Sequence, residues 1–292
     1  YGDHRDLHLS LRRQRQMCIR DRSIDQAFIT QFESEVHLAY QRAGAKLKNT
    51  TRQVNNVTGN TARFQKIGKG EAVTKSRHAE VTSMDLTHTN VDVTLNDFYA
   101  ADYIDTLDLL KTNIDERQVV ATNAANALGR KTDDLIISAL DAGNGTTIAA
   151  ASSGLTKAKV LEAFVNMNEN DIPDDGQRYF VVSPEGWADL LAIDEFVNTD
   201  YIAPGDQPFT SGMTAKRWLG FNFMIHSALP ISGNDRKVFA YHKSAIGTAT
   251  GSDVRTEVNY IPEKVSNLVT SYMSMGSIAV DSTGIIEVTI VE

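Results

Sequence analysis

A single cysteine, Cys18, in 292 residues excludes a disulfide framework and any cysteine-rich metal site. No run of about 18 apolar residues occurs, so no segment is long and apolar enough to be a membrane-spanning helix. No charged-then-apolar opening with a cleavage site points to secretion, and the expectation is an intracellular protein that makes no membrane contact. The Asn-x-Thr triplets at Asn49, Asn56 and Asn144 then read as chance matches. No motif repeats at a fixed period, which removes solenoids and propellers.

Catalytic signatures are equally scarce. There is no Gly-x-Ser-x-Gly elbow for a nucleophile. "GKGEAVTK" has the wrong spacing for a phosphate-binding loop, and Val73 stands where a dinucleotide fingerprint needs glycine. "DIPDDG" (171–176) resembles the start of a calcium loop, but Val182 occupies the place of the bidentate Glu, so a helix-to-strand turn is expected. His78-Ala79-Glu80 matches part of a deaminase signature but lacks the cysteine pair. His226 and His242 end neighbouring apolar strands and could approach each other; with no third ligand in view, structural or edge positions are expected and no metal or cofactor is assigned. Acidic neighbours such as Asp133-Asp134 and Asp174-Asp175 read as a solvated face or a cap.

An apolar content of 41% is enough for a normal core in one large domain or two modest ones. Residues 1–22 differ from the remainder: they hold six Arg, three Asp and no Lys, and "SLRRQRQMCIRDR" reads as a translated sequencing-adapter scar, with a basic nucleic-acid arm as the rival. Without them 23 basic residues face 34 acidic ones, a net charge of −11. A body so acidic repels phosphate, which argues against a sequence-reading DNA or RNA binder.

Along the chain, Ala27, Phe28, Phe32, Val36, Leu38 and Ala39 predict a thinly amphipathic helix from Ser23 to about Leu47, suited to an arm. Residues 48–62 read as an extended linker. Asn113 and Glu116 match a capping box for a long alanine-rich helix ending at Gly143, about 28 residues and about 42 Å. From Thr156 the pattern is α/β: a helix carrying Val160, Leu161, Phe164 and Val165, the strand "RYFVVS", and a second helix capped by Ser183-Pro184 with Trp187, Leu190, Leu191 and Ile193. Residues 197–216 are loop-like. "RWLGFNFMIHSALP" and "KVFAYHKSAIG" read as strands, and the tail is strand-rich with a turn at 282–284.

The segment "RFQKIGKGEAVTKSRHAEV" (63–81) is basic, has no Leu and is too polar for a core element. Residues 63–98 alternate like strands, with Val81, Met84 or Leu86, Val91, Val93 and Leu95 among polar neighbours, and Gly68 and Gly70 as turn points. The expectation is a long β-hairpin, marginal in water by itself, whose bases Arg63, Lys66, Lys69, Lys75 and Arg77 seek acidic surface on another copy. A hairpin lying on its own domain is the alternative.

The order of helical arm, basic hairpin, long helix, α/β insert and returning long strands resembles the α+β Hong Kong 97-type fold of tailed-bacteriophage major capsid proteins. "LNDFYAADYID" leading into "ALGRKTDDLI", then "YFVVSPEGWADLL", "KRWLGFNFMIHSALP", "VFAYHKSAIGTA" and "EKVSNLVTSYMSMGSIAVDSTGIIEV" carry the likeness over about residues 23–292. It implies an N-terminal arm (23–60), an extended loop (61–98), a peripheral domain (99–154 and 251–292) and an axial domain (155–250). It also implies hexamers and pentamers of a shell assembled in a bacterial cytoplasm around non-specifically held DNA, with portal and scaffolding proteins as partners and no catalysis. Some members crosslink through a lysine, for which Lys66, Lys69 and Lys75 are the hairpin's candidates. The alternatives are an encapsulin-like compartment shell and, from a different class, a hydrolase built on 155–250 with His226 or His242 as base and no identified nucleophile.

Overall fold

A computed structural model describes residues 41–42, 44–107, 115–197 and 215–292. The leader, most of the expected arm helix, Asn113 of the expected capping box and most of the 197–216 loop lie outside the described residues; the described end of the arm, 44–47, is not helical, so the expected helix does not reach Leu47.

Residues 48–62 depart from the linker expectation. A 3-10 turn over Lys48–Thr50 leads into β1 (Arg52–Asn55), which adds to the sheet in parallel register, Arg52 opposite Gly247 and Asn55 opposite Thr250. Polar composition misleads here because the threonines serve their own backbone: Thr50 Oγ1 donates to Leu47 O (2.7 Å) and Thr51 Oγ1 to Lys48 O (2.9 Å), while the adjacent sheet edge supplies the remaining partners.

The hairpin follows as β2 (Thr61–Ile67) against β3 (His88–Thr94), in register from Thr61 opposite Thr94 to Ile67 opposite His88. Its ladder is shorter than expected. Beyond Gly68, whose N–H reaches Thr87 O (2.9 Å), the strand ladder stops, although Leu86 and Met84 of the returning arm still lie over Gly70, and the chain reverses at Arg77-His78 instead of at Gly68 and Gly70. His78 takes φ 69° there, and Ala79 N bonds Ser76 O (3.1 Å). Polar alternation signals strand-like extension but supplies no neighbour to hold a ladder.

β4 (Asn96–Asp105) precedes the long helix α1 (Glu116–Ala142), close to its expected extent. Alanine content and the buried stripe of Ala124, Leu128, Ile136, Ile137 and Leu140 explain the helix. It ends where Gly143 N–H returns to Ala139 O, and a Cβ on Gly143 would stand 2.0 Å from that of Ala279, so glycine is what lets strand and helix end meet. α1 lies on a four-stranded sheet ordered β1-β11-β12-β4, where β11 is Ile246–Ile261 and β12 is Ser266–Ala279. Leu128, Met273 and Met275 form the contact, with Phe98, Ala100 and Leu135 against them.

The second sheet has seven strands: β5 (Thr146–Ile148), β6 (Arg178–Val182), β7 (Ala215–Trp218), β8 (Phe221–Ile225), β9 (Ile231–Ser232), β10 (Asp235–His242) and β13 (Ile285–Val291), with β10 between β13 and β6. Its strands thus come from both sides of the 155 and 250 boundaries, and one main core joins them. Aromatic packing organises that core: Phe180 stacks on Phe223 (centroids 5.0 Å) and Phe196 meets Trp187 and Trp218 edge-on (5.6 and 5.4 Å). Against the sheet lie α2 (Lys157–Glu169) and α3 (Pro184–Leu191), the latter capped as expected by Ser183 Oγ accepting Gly186 N–H. The buried face of α2 is Val160, Ala163 and Met167, with Phe164 partly covered; Leu161 and Val165 point outward. Leu161 and Val165 share their own i, i+4 stripe, so an apolar residue count alone mistakes the helical phase.

Candidate inter-subunit interface

The root of the hairpin is packed and its tip is not. Ala62, Phe64 and Val93 form a small apolar cluster with Ala249 and Val280, separate from the main core. The 63–81 segment therefore does contribute one core side chain, Phe64, which is 1% exposed. From Lys69 to Asn90 every residue is exposed, including Val73, Met84, Leu86 and Val81, the last at 80%.

The five bases divide into three kinds. Arg63 grips Asp92 directly across the ladder through two bonds, Nε to Oδ1 (2.7 Å) and Nη2 to Oδ2 (2.9 Å), and this contact holds the Asp92 carboxyl below its usual range. Lys66 reaches Asp281 on the body (2.7 Å). Burial pushes the Asp281 carboxyl up, but bonds from Lys66 and from Thr283 outweigh it and leave it below its ordinary value. Lys69 meets Asp171 (2.8 Å) at a solvated site, lowering that carboxyl through the hydrogen bond and the charge. Lys66 and Lys69 also line a cavity of about 380 Å³ between the hairpin root and the 170–173 turn. Lys75, just before the reversal, and Arg77, within it, have no partner among the described residues.

The four-stranded sheet shows α1 on one face only. On the other, the hairpin root covers the end near Gly247 and Gly276, and among the described residues nothing covers the far end, where Tyr99, Tyr103 and Tyr260 are exposed. Strand alternation places Asp97, Tyr99, Tyr103 and Asp105 there, with Tyr272 opposite Tyr99 and Leu268 opposite Tyr103. Tyr99 is 70% exposed, and Lys264 Nζ sits 3.8 Å from the Tyr103 ring centroid.

The histidines do not converge. β6 runs parallel to β8 and antiparallel to β10, so His226 follows the strand at one end of β6 and His242 ends the strand at the other. His242 Nε2 is 3.1 Å from Asp175 and its Nδ1 2.7 Å from Ser244, a residue only two positions away, in a local cap. "DIPDDG" is the turn between α2 and β6; Arg178, buried beneath it, donates to Pro173 O (3.1 Å), Asn168 Oδ1 (2.9 Å) and Ile172 O. The residue that sequence patterning missed is Asp133. It is not on a solvated face but fully buried, accepting from Leu47 N (2.9 Å) and Lys46 N (3.1 Å) beside His226. Adjacent Asp134 is the solvated one, pairing with Arg42 (3.2 Å). A polar residue between Thr132 and Asp134 on the face leading to Ile136 was the available signal.

A two-sheet body with a long helix across one sheet and a projecting loop that the other described residues leave uncovered has the architecture of the Hong Kong 97-type fold. A model of the phage capsid protein family matches residues 24–292, and the chain belongs to that family. Solved capsids share the fold at low identity. The capsid of cyanophage P-SCSP1u is 17% identical with a TM-score of 0.72, covering 92% of this chain and 94% of that one. Mycobacterium phage Che8 is 18% identical with a TM-score of 0.70 over 89% and 97%, and the capsid of a native GTA particle is 14% identical with a TM-score of 0.68 over 91% and 96%. No curated protein matches the chain in sequence. The protein is thus a phage capsid protein, a structural component of the virion shell, and these comparisons lend no support to the cellular-compartment alternative.

Proposed function

We propose that the shell is closed by the tip of the extended loop, residues 69–90, reaching onto a neighbouring copy. The observation that carries this reading is the continuous exposure of that segment with two bases, Lys75 and Arg77, that have no partner among the described residues, and four large apolar side chains. The open end of the four-stranded sheet has the matching character, tyrosine surface edged by Asp97 and Asp105. Arg63, Lys66 and Lys69 then act on the contact from within their own chain. Each contact is modest, but a subunit held by several neighbours makes later contacts nearly intramolecular, so weak interfaces close a shell.

In this reading residues 99–154 with 251–292 form the peripheral domain and 155–250 the axial domain of hexamers and pentamers, assembled in the host bacterial cytoplasm with portal and scaffolding proteins. The net charge of −11 beyond residue 22 suits a container that holds DNA by confinement. Negative-stain microscopy tests the central claim. Lys75→Glu with Arg77→Glu is expected to abolish polyhedral particles while leaving soluble, folded subunits; particles in normal yield would refute the role of the tip. Tight, salt-sensitive DNA binding by the protein would refute confinement.

A further inference from the structure

Strand interiors disfavour glycine, and a glycine there commonly marks a close backbone approach. β11 and β12 carry Gly247 and Gly276 beneath the hairpin root. A Cβ on Gly247 would lie 2.7 Å from the Cε2 and Cζ atoms of Phe64. One on Gly276 would lie 2.4 Å from Thr94 O and 2.9 Å from Val93 Cγ2. Neither glycine has positive φ, so alanine fits the backbone of both and is excluded only by what lies above. The two glycines make a notch in the sheet, and Phe64 and Val93 sit in it. Lys66 adds one tether outside the notch, to an Asp281 already fixed by the Thr283 N–H (3.1 Å) and hydroxyl (2.7 Å).

This seat is small for what it carries. Its buried residues are Ala62, Phe64, Val93, Ala249 and Val280, whereas the loop runs exposed for ten residues from Lys69 to the reversal at His78. An extended arm of that length spans about 30 Å, so a tilt of about 10° at the root moves the tip by about 5 Å. A displacement of that size exceeds the reach of a hydrogen bond or an apolar contact.

We infer that Gly247, Gly276 and Asp281 are positioning residues for assembly: they set the direction of the extended loop, and so the point on a neighbouring copy that its tip meets. They act through Phe64, Val93 and Lys66 and need touch no neighbour. This rests on the loop-to-neighbour reading above and assigns the aiming of that contact to the body of the same chain.

The test pairs assembly with hydrogen exchange. In Gly247→Ala the new methyl displaces the Phe64 ring. Expected are amide exchange at least tenfold faster in the β2–β3 ladder, unchanged exchange in β10 and β13, and at least a tenfold loss of regular shells. Phe64→Leu in the same background makes room for the methyl and is expected to restore most of the shell yield, a rescue that general destabilisation would not produce. Regular shells in normal yield from both Gly247→Ala and Gly276→Ala would overturn the inference. Should Gly247→Ala prove insoluble, Lys66→Ala removes the tether without steric change; lower yield supports the assignment and normal yield opposes it. If the unaltered protein forms no shells, the loop-to-neighbour reading fails, and ladder exchange in Gly247→Ala still decides whether the notch holds the loop.

Discussion

His226 Nε2 stands 3.2 Å from Asp133 Oδ2, and neither side chain is exposed. The contact joins the end of β8 to the middle of α1, and the same carboxylate accepts the N–H groups of Lys46 and Leu47. One buried acid therefore ties together the incoming arm, the long helix and the seven-stranded sheet. Asp133→Ala removes the acceptor from three donors at once. Breaking such a site typically costs about 3–5 kcal/mol, since the remaining groups stay buried without partners. Urea denaturation is the measure, and a loss smaller than about 1 kcal/mol would show that solvent or repacking replaces the carboxylate.

Acid should loosen the same node. Burial pushes the Asp133 carboxyl up, but hydrogen bonds from His226, Leu47 and Lys46 outweigh it, and the folded value lies below the ordinary 3.8. A carboxylate depressed on folding stabilises above its unfolded value and loses that contribution as pH falls through its folded one. The stabilisation is therefore complete at neutral pH and declines below about pH 4. Unfolding curves recorded down the acid limb should fall less steeply for Asp133→Asn than for the unaltered protein. Parallel slopes would mean that this group does not couple to folding.

Lys159 presents the opposite charge in a similar setting. It is 5% exposed and its Nζ faces four carbonyls, those of Ala150 (2.6 Å), Ser153 (2.7 Å), Gly154 (3.0 Å) and Thr289 (3.0 Å). Burial holds its ammonium below the ordinary 10.5, against the pull of Asp189 and Asp235. Because the unfolded chain binds that proton more tightly, this residue's contribution to stability rises as pH increases toward 10.5. Lys159→Met keeps the stem and strands the carbonyls, and a loss of about 1–3 kcal/mol at neutral pH is expected from thermal unfolding. A variant as stable as the parent would show that the ammonium's desolvation cancels its bonds.

How much of this was readable beforehand depended on the range of the interactions. The body of α1, the β6 strand, the Ser183 cap and the turn at Ser282–Gly284 come from short-range periodicity and capping, and the structure places each where the sequence points, except that α1 starts from Asp115, which makes Glu116 its first residue and not the third position of a capping box. β1 was hidden because three polar residues and one valine become a strand only beside β11, nearly two hundred positions later. Asp133 was hidden for the same reason, since its burial depends on His226 and Leu47, both remote from it in sequence. Of the five candidate bases, charge alone could not separate Lys66 and Lys69, which face acids on distant turns, from Lys75 and Arg77, which face none among the described residues. Nothing local marks Gly247 and Gly276 as a notch, because the Phe64 ring over one and the Thr94 carbonyl and Val93 side chain over the other are remote in sequence.

Thr50 and Tyr241 give a case in which the order of removal matters. Their hydroxyls are 2.6 Å apart, Tyr241 has no solvent exposure, and its burial raises the phenol above its ordinary value. Thr50 Oγ1 also bonds Leu47 O, so it has a second partner, whereas Thr50 is the phenol's only hydrogen-bond partner among the described residues. Thr50→Val therefore orphans a buried hydroxyl and should cost about 1–3 kcal/mol. Tyr241→Phe leaves Thr50 bonded to Leu47 and should cost about 0.5–1.5 kcal/mol. With both changed, no hydroxyl is stranded, and the double variant should lose less than the two single losses added together, a coupling that a double-mutant cycle in urea measures directly. Strict additivity would mean that the two hydroxyls do not bond in solution and that the arm is held against the sheet by other contacts.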